Sequence, residues 1–185
     1  SKYNPEQLFF SRNSILALKN ISFDLPDSLN SLSIGALDFA QEDSLLVINN
    51  ISLVPRYDKM EYAHKAGKET DWINVKSSEI KLAGLDLPRF IHNAELYCRR
   101  IDIDSLNIEA FRNKQVPWPD TLFKPMPQEI ISQFGHKFAV EQINISNAFI
   151  SYEELPLEGN KSGKIYFTDL NANIKPLTND DSLRT

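Results

Sequence analysis

The sequence predicts an all-β fold: a curved, mainly antiparallel sheet of bent strands, shaped as a groove or a partly open sandwich, with one short helix. Two observations carry this expectation. The spacing apolar-x-apolar-x-x-apolar-x-apolar recurs along the 185 residues, and period two on each side of a gap is strand periodicity, because alternate side chains of a strand share a face. The gaps are also filled mostly by Gly, Asn, Asp and Ser, which tolerate positive φ or bond their own backbone.

In chain order the copies are Leu16, Leu18, Ile21 and Phe23; Leu32, Ile34, Leu37 and Phe39; Leu46, Ile48, Ile51 and Leu53; Ile80, Leu82, Leu85 and Leu87; Ile101, Ile103, Leu106 and Ile108; Ile143, Ile145, Ala148 and Ile150; and Ile165, Phe167, Leu170 and Ala172. The gap pairs are Lys19-Asn20, Gly35-Ala36, Asn49-Asn50, Ala83-Gly84, Asp104-Ser105, Ser146-Asn147 and Thr168-Asp169. A two-residue gap reverses parity, so in a flat strand the second apolar pair would fall on the opposite face. Two devices restore a single face. A β-bulge bends the strand and adds a residue; a two-residue hairpin pairs the inner and outer apolar residues with each other. Asn49-Asn50 suits a hairpin, but Lys19-Asn20, Asp104-Ser105 and Thr168-Asp169 lack the favoured turn chemistry, which favours bent strands.

Between the copies, the charged segment 55–72, with Gly67, reads as a long hairpin loop or a disordered tip. Pro88 to His92 reads as one helical turn with proline at an early position. Residues 114–135 read as a proline-rich crossing loop, through Pro117, Pro119, Pro125 and Pro127, followed by a short helix from Gln128 to Phe134. The whole of 1–185 is expected to be a single β-rich segment of a longer protein.

Composition excludes several classes. Lys and Arg number 20 against 25 Asp and Glu, a net charge of -5, so there is no basic excess to neutralise phosphates and nucleic acid is not an expected partner. Cys98 is the single cysteine, so no internal disulfide exists.

Residues able to do chemistry are scattered. His64, His92 and His136 show no metal-binding spacing. Arg99 and Arg100 beside Cys98 would favour a thiolate, whereas an inert, half-buried cysteine is the simpler reading. Asp102 and Asp104 alternate with Ile101 and Ile103, as on the outward face of a half-solvated strand, and the glycine and distal glutamate of a calcium loop are missing. Glu153-Glu154 is a strand-end acidic pair, and no nucleophile elbow, phosphate loop or dinucleotide fingerprint is present. No catalytic residue, metal or cofactor is expected, and the chain is expected not to be an enzyme.

A sheet whose strands each offer one apolar face, with few helical segments to cover it, must fold on itself or hold something apolar. An eight-residue strand spans roughly 26 Å, wide enough to cradle an acyl chain. The residues expected to line such a groove are Leu16, Ile34, Ile48, Leu82, Ile103, Ile145 and Phe167, and the expected partners are lipid acyl chains or a membrane. The competing expectation is an adhesion or carbohydrate-binding β-sandwich, its apolar faces mutually buried, with Trp72 or Trp118 meeting the ligand.

Ile80-Lys-Leu-Ala-Gly-Leu-Asp-Leu and Ile101-Asp-Ile-Asp-Ser-Leu-Asn-Ile-Glu-Ala-Phe-Arg-Asn-Lys resemble the AsmA-like (AsmA/TamB-type) proteins of the Gram-negative envelope. So do Lys124-Pro-Met-Pro-Gln-Glu-Ile-Ile, Ile143-Asn-Ile-Ser-Asn-Ala-Phe-Ile-Ser-Tyr-Glu-Glu and Gly163-Lys-Ile-Tyr-Phe-Thr-Asp-Leu-Asn-Ala-Asn-Ile. The resemblance covers most of the chain from Ile80 onward; earlier residues share only the strand spacing. It implies a long periplasmic β-groove tethered by one membrane helix, with a role in phospholipid transfer or outer-membrane homeostasis. That helix is absent from this sequence, so the resemblance implies a fragment.

Overall fold

The computed structural model describes residues 15–118 and 135–183. Its strands are β1 (Ile15–Asp24), β2 (Asn30–Ala40), β3 (Leu45–Pro55), β4 (Asp71–Ala83), β5 (Leu96–Asp104), β6 (Asn107–Asn113), β7 (Phe138–Leu155), β8 (Gly163–Ile174) and β9 (Leu177–Thr178). Two short helices, α1 (Lys59–Ala66) and α2 (Leu87–Asn93), and a closing 3-10 turn at Asp181–Leu183 complete the described elements. The strands form one mixed, mostly antiparallel sheet, so the expected all-β class holds. β5 and β6 lie end to end between β4 and β7, and β8 and β9 lie end to end on the far side of β7. The sheet therefore has seven lanes.

β7 runs parallel to β5 and β6, with Leu96 beside Phe138 and Asn113 beside Leu155. A parallel neighbour needs a long return connection, and residues 114–137 supply it, as the proline-dense stretch suggested. The short helix expected at Gln128–Phe134 lies outside the described residues.

The bends have an unanticipated form. Asn20, Asn50, Gly84, Ser105, Asn147 and Asp169, each the second residue of a gap pair, adopt positive φ between 51° and 69°. No hairpin forms at any of them. Nor is a residue inserted where β1, β2 and β3 cross the line of bends: Leu18 pairs with Leu37 and Ile21 with Ile34, and Ile34 pairs with Ile51 and Leu37 with Ile48, all in unbroken register. A single left-handed residue takes the place of a bulge in β1 (Asn20) and in β3 (Asn50), at the same level on either side of β2. The β2 pair Gly35-Ala36 is the exception, without positive φ. Here glycine serves closeness, since a Cβ on Gly35 would stand 3.0 Å from Asn50 Cβ. True register shifts occur between β7 and β8, where Ile145 pairs with Ala172, Ala148 with Leu170 and Ile150 with Phe167. The two bends there sit one step apart, so each strand bulges once and the shifts cancel.

The copy Ile80, Leu82, Leu85 and Leu87 bends at a different level, at the end of β4. Gly84 turns the chain out of β4, and Asp86 N–H donates to Tyr97 C=O. Across it, Leu82, Leu85, Cys98, Val140 and Phe39 form the buried cluster, joined by Ile80, Leu87, Leu96, Ile101 and Ile143. Both halves of that copy thus meet in one core, on the same side of the bend.

The helices follow local rules. Asp58 caps α1 by accepting from Met60 and Glu61 N–H, and Gly67 closes it at φ 72°. The segment 55–72 is thus not a bare loop, which corrects the sequence expectation. The helical turn read at Pro88 to His92 is present as α2, capped by Asp86 with proline in its first turn.

Candidate functional site

The strand pairings assemble the apolar residues into four rows that cross every lane. The first runs Leu16, Phe39, Leu46, Leu82, Ile101, Ile143, Ile174, and the second Leu18, Leu37, Ile48, Ile80, Ile103, Ile145, Ala172. The third joins Ile21, Ile34, Ile51 and Ser77 on one side of Leu106 to Ala148 and Leu170 on the other. The fourth runs Phe23, Leu32, Leu53, Val75, Ile108, Ile150, Phe167. The line of left-handed residues passes between the second and third rows through β1, β3, the β5–β6 lane and β7. Of the expected groove residues, Leu16 and Leu82 fall in the first row, Ile48, Ile103 and Ile145 in the second, Ile34 in the third and Phe167 in the fourth. Leu82 is buried, whereas Phe167, on the edge strand, is 56% exposed.

One corner of this surface is roofed. α2 and the turn before it lie over the first two rows, leaving a cleft of about 270 Å³ lined by Leu16, Leu18, Leu37, Phe39, Leu46, Leu85, Leu87, Phe90 and Ile91. Every lining side chain is apolar. The roof residues Leu85, Leu87, Phe90 and Ile91 were not singled out from sequence as groove residues, because helix and sheet patterns overlap at Leu85 and Leu87.

At the opposite end the rows stop at charge. Arg112 makes a two-pronged contact to Asp71, directly across the strand pair, and Lys114 meets Glu154 at 2.8 Å. The hydrogen bond and charge of Asp71 push the Arg112 pKa up further. Tyr152, which donates to Glu154, is raised to about 12, chiefly by burial. The next residues along, Trp72, Phe111 and Glu153, alternate to the other face and are covered by α1, whose Lys59 pairs with Glu153 at 2.9 Å.

Residues that alternate with the rows are mostly polar, with Val47, Val54, Phe149 and Tyr166 among the exceptions, and side-chain hydrogen bonds tie much of the other face together. Asn144 donates to Asp102 at 2.6 Å, Asn173 to Asn144 at 2.5 Å, and the Ser33 and Ser52 hydroxyls lie 2.7 Å apart. Asp104 accepts from Asn147 (2.9 Å), Ser105 (2.9 Å) and Ser146 (3.0 Å). These donors, Asn147 foremost, hold its carboxyl below the ordinary range. The hydrogen bond from Tyr97 likewise lowers Asp180 to about 2. A carboxyl with a lowered folded-state pKa contributes stability above its unfolded value, near 3.8, and loses it as pH falls. The urea midpoint is therefore expected to fall as pH drops from 5 to 3, and Asp104→Asn should flatten part of that fall; an unchanged slope in the variant would contradict the role given to Asp104.

Other candidate groups are engaged structurally. The Trp72 indole donates to Tyr57 C=O at 3.0 Å beneath Lys59, which pins the ring to its own loop. Cys98 is buried, and burial pushes its thiol up to about 11 despite Arg99 and Arg100 nearby. Among the described residues no three His, Cys, Asp or Glu converge as a metal site, and no helix is long and apolar enough to cross a membrane. No family model, curated protein or solved structure matches the chain.

Proposed function

We propose that this chain is a non-enzymatic segment of an AsmA-like envelope protein whose apolar sheet face takes up the acyl chains of phospholipids, in lipid transfer or outer-membrane homeostasis. The observation that supports it is the four rows, apolar in every lane except at Ser77 in the third, which among the described residues α2 roofs at only one corner. Six lane spacings of ~4.8 Å make the surface about 29 Å wide, broad enough for more than one chain to lie along it. The polar zipper on the other face and the charged band at the end of the rows would keep such a trough one-sided. The reading places the chain on the periplasmic side, tethered to a membrane by a segment outside this sequence.

The test is uptake of a fluorescent phospholipid by delipidated protein. A saturable rise in fluorescence is expected. Phe90→Asp, at a half-exposed position in the roof, should weaken it without unfolding the sheet. A delipidated, folded chain that takes up no phospholipid would overturn the reading.

A further inference from the structure

We propose that copies of this chain join edge to edge, with β8 of one laid antiparallel against β1 of the next, so that the four rows run on from copy to copy. This holds whatever the apolar face binds. Among the described residues β1 pairs only with β2, and β8 only with β7. Among the described residues each therefore has one row of backbone N–H and C=O groups that pairs with no strand, and such an edge takes another strand. The side chains on these edges are also apolar and open: Leu18 is 42% exposed, Phe23 49% and Phe167 56%.

Direction and register agree with the pairing. β1 and β7 run the same way and β8 runs against them, so a following β1 meets β8 antiparallel. Matching the rows sets Leu16 against Ile174, Leu18 against Ala172, Ile21 against Leu170 and Phe23 against Phe167. The bends at Asn20 and Asp169 then stand one step apart, in the same cancelling arrangement that β7 and β8 already accommodate. Charge selects this pairing over a two-fold one. It sets Lys19 diagonal to Asp169 and Asp24 diagonal to Lys164, two opposite-sign pairs. A symmetric β1–β1 pairing also aligns the bends, but it places Lys19 against Asn20 and Asp24 against Ile15 and leaves the β8 edges open. A head-to-tail contact of this kind does not close on two copies, and it grows with concentration.

The proposal is tested by sedimentation velocity over a concentration series, together with directed cross-linking in a Cys98→Ser background. Weight-average mass should rise continuously beyond the dimer. Lys19→Glu should weaken association about threefold to tenfold, and adding Asp169→Asn, a residue suited to positive φ, should recover part of the loss. Oxidising an equal mixture of Leu18→Cys and Ala172→Cys chains should give the mixed disulfide, since directly opposed residues lie within bridging distance. A folded chain that stays monomeric throughout, a mass that stops at the dimer, or cross-linking of Leu18→Cys to Ile21→Cys in place of Ala172→Cys would overturn it. Each of these readouts is made without lipid, so failure here leaves the lipid reading standing, and failure of lipid uptake leaves this one standing.

Discussion

Gly35→Val is expected to lower stability by about 3 kcal/mol, at the upper end of what overpacking costs. Gly35 sits in an interior lane, flanked across the pairings by Asn20 and Asn50. Its missing Cβ is what lets those bends close in: an added one would stand 3.0 Å from Asn50 Cβ and 3.2 Å from the Asn49 carbonyl oxygen. Valine adds two further carbons to that contact, and backbone on one side cannot rotate away. The companion substitutions at Asn50 should differ in size. Asn50 holds φ 54°, so Asn50→Gly should change stability by less than about 0.5 kcal/mol, whereas a β-branched Asn50→Val should cost about 1–3 kcal/mol. Urea midpoints with unchanged slopes would measure all three. A tolerated Gly35→Val would show that the bends do not need close approach.

Leu82→Asp is expected to cost about 4 kcal/mol or more, enough to unfold a domain of ordinary stability. Leu82 is 8% exposed and packs in the buried cluster with Phe39, Leu85, Cys98 and Val140. The substitution removes a packed side chain and strands a carboxylate with no cation among its neighbours in the cluster. One residue earlier, Lys81 points to the polar face and pairs with Glu79 at the surface, so Lys81→Ala should cost less than about 1 kcal/mol. A near-equal cost at the two positions would contradict the period-two division of β4 into an apolar and a polar face.

The apolar spacing made strands, bends and rows readable because a half-buried sheet encodes its faces in alternation. It also marked the places where alternation breaks: Asn20, Asn50, Ser105, Asn147 and Asp169 were identified as residues able to take positive φ, and they do. What spacing could not distinguish was an inserted residue from a left-handed one, since both reverse parity. That choice depends on whether the neighbouring strand bends at the same level, a property of the pairing and not of either strand alone. Two further copies of the spacing were hidden for another reason. Leu96, Cys98, Ile101 and Ile103 carry the same spacing, as do Phe138, Val140, Ile143 and Ile145, but each shares residues with a copy already counted. Ser77 was hidden as well, standing in the third row opposite Ile51 with its hydroxyl bonded to the Glu79 and Asp104 carbonyls. Helix α1 was missed in a charged segment whose Asp58, Glu61 and Gly67 are an adequate start and stop signal. The parallel placement of β7 was not legible either: the proline-dense connection marked a crossing loop, but nothing in it fixed the direction of the strand that follows.

The decisive measurement is a single-cysteine scan along β3 in a Cys98→Ser background, each site carrying a polarity-sensitive fluorophore. Apolar emission is expected at Leu46, Ile48, Ile51 and Leu53, with water-like emission at Val47, Ser52 and Val54, because the bend at Asn50 keeps all four row positions on one face. Water-like emission at Ile51 and Leu53, with apolar emission at Ser52 and Val54, would mean that the rows change faces at the bend and that no continuous apolar surface exists.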